Sequence, residues 1–169
     1  MTTGDVTAVP NIWSASPGRR TVHPSDAGRL EGTELFVTEW RCVDRQHLDG
    51  FHWSVDEADG ASDMAANELF PRAADNVDGF MLTALITSAF FNNYPIGGDG
   101  LVSWNYGTDR VRYPATVYLE DEIRLRVTLV SVEEKPAGWL LRNAVAMDLR
   151  GSERPAMVGD FLVMMTETS

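Results

Sequence analysis

The polar and apolar positions of the chain follow two regimes that meet near residue 100. Beyond Gly100 they alternate: Ile123, Leu125, Val127 and Leu129 are separated by Arg124, Arg126 and Thr128, the period-two signature of a strand with one buried face. Long strands are predicted over 101–113, 122–133, 139–150 and 156–166, with Gly, Pro or charged turns at 119–122, 135–138 and 151–155. Pro114 cannot donate to a central ladder, so it ends the first of these strands. Before residue 100 the dominant segment is 79–91, Gly-Phe-Met-Leu-Thr-Ala-Leu-Ile-Thr-Ser-Ala-Phe-Phe. It is apolar on nearly every side, so a helix there must be buried.

Shorter elements precede it. Residues 34–43 read as a first strand. Asp44 is placed to cap a helix over 45–54, with Leu48, Phe51 and His52 at near-helical spacing. An amphipathic stretch over 64–70 ends at Pro71. Residues 1–32, rich in Thr, Ser, Gly and Pro, read as an irregular extension that docks on the domain or on a partner subunit. One buried helix followed by a run of antiparallel strands is an α+β arrangement, a sheet wrapped around a central helix, in a single domain over 33–169.

Composition narrows the function. The 169 residues suit one domain. A formal net charge of -11 argues against nucleic acid, which needs a basic stripe that neither Arg19-Arg20 nor Arg124 with Arg126 provides. No stretch approaches the ~18 apolar residues of a membrane span. With no charged-then-apolar leader, the cytoplasm is the expected compartment. The single cysteine, Cys42, excludes an internal disulfide, and its place in an apolar run predicts a buried structural thiol. No metal-ligand cluster, phosphate loop or Ser-nucleophile motif occurs, so no metal and no cofactor is expected.

Several short motifs share one register. Tyr113-Pro-Ala-Thr-Val117 is followed by the acidic turn Glu120-Asp121-Glu122 and the long alternating strand. Upstream lie Phe51-His-Trp-Ser-Val-Asp56, then Asp63, then Asp78-Gly-Phe-Met-Leu82 at the helix start. Together these resemble the MaoC-like hotdog family, which includes R-specific enoyl-CoA hydratases, over roughly residues 33–166. The resemblance implies a hotdog fold and a homodimer with the site near its interface. It also implies an Asp–His pair that activates water, and a backbone N–H at the start of the central helix that polarises a thioester carbonyl. Gly79 matches that last position, and a helix N-terminus stabilises a developing oxyanion. Without a Cβ, Gly79 also lets a ligand approach the backbone.

The departures from the family pattern bear on the chemistry. Ala58 and Asp59 stand where Asn-Pro is expected, Ala61 where the catalytic His is expected, and Asp78 where the helix-start His is expected. Ala61 transfers no proton, and His52 reads as a packing or surface residue. Asp56 and Asp78 become the candidate acid–base groups, since paired or buried carboxylates divide such roles. The competing readings are a helix cap for Asp78 and a solvated loop residue for Asp56. Asp59, Asp63 and Asp75 read as surface residues.

Further along, strand alternation puts Trp104 and Tyr106 on one face and Asn105 on the other, as acyl-pocket lining or as core and dimer contacts. Arg110 and Arg112 read as a solvated strand face or as a carrier-phosphate site. Met147, Met157, Met164 and Met165 read as packing. Two functions fit. One is an enzyme acting on an acyl or polyketide-like substrate, free or bound to CoA or a carrier protein, by dehydration or by related enolate chemistry such as isomerisation or cyclisation. The other is a catalytically silent subunit or binding module that completes a heteromeric hydratase.

Overall fold

The computed structural model describes residues 21–55 and 72–168. The alternating segments form β6 (Glu122–Lys135), β7 (Gly138–Leu149) and β8 (Met157–Glu167), an antiparallel meander, and β4 (Leu101–Arg112) pairs with β8. On the far side β1 (Glu34–Val37) pairs with β6, giving the order β1-β6-β7-β8-β4. Ile123, Leu125, Val127 and Leu129 of β6 are buried, and so are Leu141, Val145 and Met147 of β7. Their polar neighbours Arg124, Arg126, Arg142 and Asp148 stand on the outer face, where the carboxylate of Asp148 accepts from both Arg124 and Arg126. Met147, Met157 and Met165 are buried in the core, as packing residues.

The apolar segment forms helix α2 (Gly79–Asn93). Its Phe90 ring lies 5.6 Å from Phe36 of β1 and 4.7 Å from Phe161 of β8. In a flat sheet, with β6 and β7 between them, those strands would stand about 14 Å apart. One ring reaching both means that the sheet curls around the helix. Met81, Leu82, Ile86 and Ala89 complete the inward side. The expectation of a helix buried all round needs correction, because Phe80 and Phe91 are 75% and 80% exposed. The sheet covers the inward side and leaves the side bearing these two phenylalanines open.

The strand expected over 34–43 is broken. Thr38 offers its hydroxyl to the Leu125 N–H at 2.9 Å while its own N–H donates to the Leu125 carbonyl. The side chain takes an acceptor role that the ladder normally gives to a carbonyl, and pairing resumes only in β2 (Arg41–Cys42). Between the two strands Trp40 turns outward, 4.6 Å from the Arg124 guanidinium and 4.8 Å from that of Arg150. Cys42 is therefore exposed, not buried as its apolar neighbours suggested, with its thiol 3.4 Å from the Glu120 carbonyl. Partial burial of the sulfur, with Glu122, Glu120 and Asp121 around it, pushes the thiol pKa up. A thiol in that setting is a poor nucleophile.

Helix α1 (Arg45–Ser54) starts where expected, with the Asp44 carboxylate accepting the His47 N–H at 2.9 Å. Arg45 ties this helix to the segment entering α2: it donates to the Ala74 carbonyl at 2.8 Å and pairs with Asp75. Residues 21–32 pack on the domain. Val22 bridges to Ile96, and a 3-10 helix (Pro24–Leu30) buries Ala27. A two-stranded ladder absent from the sequence reading joins β3 (Asn76–Val77) to β5 (Val117–Tyr118). That small ladder positions the site.

Candidate active site

The N-terminus of α2 is the chemical focus. Asp78 has extended backbone and its carboxylate accepts the Phe80 N–H at 2.6 Å, so it caps the helix. The Asp78 carbonyl accepts from Leu82 at 3.0 Å. No described residue accepts the N–H of Gly79, the first residue of the helix. The first N–H groups of a helix point out of its end and form a ready site for a developing negative charge.

Beside Gly79 the β3–β5 ladder sets a tyrosine. Pairing of Asn76 with Tyr118 and of Val77 with Val117 lays the segment after β4 across the entry to α2. A Cβ built on Gly79 would stand 2.7, 2.8 and 2.9 Å from Cε2, Cδ2 and Cζ of Tyr113. The space that glycine leaves open, expected from the sequence to admit a ligand, is thus filled by this ring. The Tyr113 hydroxyl lies 2.7 Å from Thr83 Oγ1, and Thr83 donates to the Gly79 carbonyl at 3.2 Å. Gly79, Leu82 and Tyr113, with Asn76, Thr116 and Val117, line a cavity of about 170 Å³.

A second cavity of about 160 Å³ opens further along the helix, between Thr87, Phe90 and Phe91 on one side and Ser103, Asn105 and Phe161 on the other. Asn105 Nδ2 donates to Thr87 Oγ1 at 3.3 Å. Gly79, Thr83 and Thr87 are four residues apart, so they share one face of α2. The two cavities therefore follow one stripe, about 12 Å from Gly79 to Thr87 at 1.5 Å per residue. Tyr94, also at the second cavity, donates its hydroxyl to Asn143 at 2.9 Å; burial pushes its phenol well above the ordinary value, so it serves packing. The outer face of the sheet carries a larger hollow, about 340 Å³, lined in part by Trp40, Arg124, Arg126 and Arg150. Asp148 and Glu122 offset those arginines.

Of the residues singled out in the sequence, Asp78 and Gly79 come together at the helix start. Asp56, Asp59, Ala61 and Asp63 lie outside the described residues. Asp75 is held by Arg45, and His52 sits at the end of α1 with its ring 6.3 Å from Phe51. A bulge between Asn105 and Gly107 removes the simple alternation of β4. Asn105 lines the second cavity, while Trp104 and Tyr106 are 54% and 64% exposed and belong to no core among the described residues.

Arg110 is no free phosphate ligand. It pairs with the nearly buried Asp160, which also accepts from Arg142 at 2.7 Å. Burial opposes ionisation of Asp160, but the hydrogen bonds from Arg110 and Arg142 outweigh it and hold the carboxyl below its usual range. Arg112 is exposed and donates to the Val111 carbonyl. Sequence reasoning used Tyr113 only as part of a strand-end motif. Its place over Gly79 depends on the β3–β5 pairing between residues 76–77 and 117–118, which no local pattern announces. Among the described residues no helix is long and apolar enough to cross a membrane, and no group of three His, Cys, Asp or Glu is placed to hold a metal.

No family model matches the chain. It is 33% identical over 147 residues to the 3-hydroxyacyl-thioester dehydratase Z of Mycobacterium tuberculosis, covering 82% of this chain and 93% of that protein. It is 27% identical over 143 residues to Nodulation protein N of Rhizobium leguminosarum bv. viciae, covering 79% and 85%. The fold is similar to the MaoC-like dehydratase from Rhodospirillum rubrum, with a TM-score of 0.58 at 13% identity, covering 82% of this chain and 94% of that one. With a curled antiparallel sheet around α2 and a dehydratase relative matched along most of both sequences, the chain belongs to the MaoC-like hotdog dehydratases.

Proposed function

We propose that the protein dehydrates a 3-hydroxyacyl or polyketide-like thioester, carried on CoA or a carrier protein, in the cytoplasm. The observation that carries this reading is the N–H of Gly79, which no described residue accepts and which opens the central helix beside a cavity, in a chain 33% identical to a named thioester dehydratase. Removing a proton from C2 of a thioester places negative charge on the carbonyl oxygen. A preorganised N–H aimed at that oxygen stabilises the transition state more than the ground state. Asp56 and Asp78 are the carboxylates the sequence offers for proton transfer. Related enolate chemistry, isomerisation or cyclisation, would use the same N–H and the same carboxylates.

The reading also takes the protein as a homodimer. β4 is an edge strand of 12 residues, it exposes Trp104 and Tyr106, and Phe80 and Phe91 stand on the open side of α2. A long exposed edge next to apolar surface favours pairing with a second copy. A different reading, a catalytically silent subunit of a heteromeric hydratase, is favoured by Ala61 at the position of the family's histidine.

A panel of 3-hydroxyacyl-CoA and N-acetylcysteamine thioesters, plain and oxygenated, tests the proposal, with loss of water followed by mass spectrometry. Sedimentation of the protein purified alone gives its assembly state. Water loss by a stable homodimer supports the enzyme. Inertness together with insolubility in the absence of a partner favours the silent subunit. Hydration of crotonyl-CoA, the reverse reaction on a short chain, is expected to be very slow unless another residue takes the role of the family's histidine.

A further inference from the structure

We infer that Tyr113 is a catalytic residue, the acid that protonates the departing hydroxyl group in place of the family's missing imidazole; this rests on the dehydratase reading above. Three observations place it there. Its ring lies against the Cα of Gly79, with Cζ, the carbon that bears the hydroxyl, 2.9 Å from where a Cβ would stand. It lines the cavity at the open end of α2, beside the N–H proposed to hold the thioester oxygen. Its hydroxyl is held 2.7 Å from Thr83 Oγ1, a bond in which either oxygen can donate; with Thr83 as the donor, the phenolic proton is left for the leaving group.

The step balances without any added reagent. A carboxylate takes the C2 proton, and the electron pair moves onto the thioester oxygen at the Gly79 N–H. The pair then returns to form the C2–C3 double bond as the C3–O bond breaks. The phenolic proton of Tyr113 passes to the leaving oxygen, so that water departs. The carboxylic acid formed in the first stage then returns its proton to the phenolate. Phenols are stronger acids than water and weaker than carboxylic acids, so both transfers run downhill. Histidine is unnecessary, and Ala61 ceases to be an obstacle to turnover.

The test uses the full chain, wild type and Tyr113→Phe, with the thioester from the panel that the wild type dehydrates fastest and its 3-fluoro analogue. Fluoride leaves without a proton. The phenylalanine keeps the ring over Gly79, so the melting temperature should change little. Loss of a general acid should lower kcat on the hydroxy substrate by roughly 10²–10⁴-fold with KM nearly unchanged. Fluoride release should stay near the wild-type rate. Thr83→Val, which keeps the phenol but removes its anchor, should slow the hydroxy substrate and spare the fluoro one. If Tyr113→Phe dehydrates the hydroxy substrate as fast as the wild type, the assignment is overturned and the dehydratase reading stands. Equal slowing of both substrates also overturns it, leaving Tyr113 a packing residue. If the wild type eliminates neither hydroxide nor fluoride, both the assignment and the dehydratase reading fall.

Discussion

Adding one methyl group at Gly79 should destabilise the protein when Tyr113 is present and stabilise it when Tyr113 is absent. The Cβ of Gly79→Ala would meet three ring carbons at 2.7–2.9 Å. Carbon atoms prefer about 3.5–4.0 Å, so the ring must retreat by roughly an ångström and strain its bond to Thr83. Overpacking of this kind costs typically 1–3 kcal/mol. Alanine recovers up to ~1 kcal/mol over glycine within a helix, and less at its first residue. The net expectation is a loss of about 1–2 kcal/mol in the wild-type background, or roughly 2–8 °C in melting temperature for a domain of this size. In a Tyr113→Ala background the clash is gone and only the gain remains. Urea unfolding of the four proteins gives the coupling directly, with an expected magnitude of about 1–3 kcal/mol. If Gly79→Ala is equally harmless in both backgrounds, the ring does not occupy the face of Gly79 and the site geometry described above is wrong.

Other outcomes follow from the same contacts. Asp78→Asn should keep the cap and the melting temperature, since Asn caps about as well as Asp, whereas Asp78→Ala should lose ~1 kcal/mol; loss of turnover in the Asn variant would therefore report chemistry. Asp160→Asn should cost about 1–2 kcal/mol at neutral pH, a figure reduced because Arg110 is largely solvated; no change in urea midpoint would count against the ion cluster. The carboxyls of Asp160 and Asp148 are held below their usual range by their arginine partners, against the opposing effect of burial. Their contribution is thus present above the unfolded carboxylate pKa of about 3.9 and is lost as pH falls through the lower folded values. Wild type and Asp160→Asn should converge in stability at the acid end of a pH series. Cys42 should react slowly with iodoacetamide at neutral pH and faster at alkaline pH; rapid alkylation at neutral pH would contradict its raised pKa.

What the sequence revealed, and what it hid, divides by the range of the interactions. Strict alternation in 123–129 and the capping Asp44 are local signals, and the strands and α1 form where those signals place them. Cys42 was misread because the hydroxyl of Thr38 intercepts the ladder at Leu125, a contact between residues 87 apart that no neighbouring pattern encodes. The exposed side of α2 was hidden for a similar reason: periodicity reports an apolar surface but not whether this chain alone covers it. Asp78 and Gly79 were legible at the helix start from their motif. Tyr113 was not legible, because its position depends on a ladder of two residues on each side, too short to leave a periodic trace.

The most direct test of the central claim is turnover of a 3-hydroxyacyl thioester by the wild type, Asp56→Asn and Asp78→Asn, with water loss followed in time and melting temperature measured on the same samples. The account predicts water loss by the wild type. It also predicts a fall in kcat on the order of 10²-fold or more in at least one Asn variant, with no matching fall in stability. Absence of water loss from any 3-hydroxyacyl thioester by a folded homodimer would contradict it, and undiminished turnover in both Asn variants would remove the aspartate chemistry.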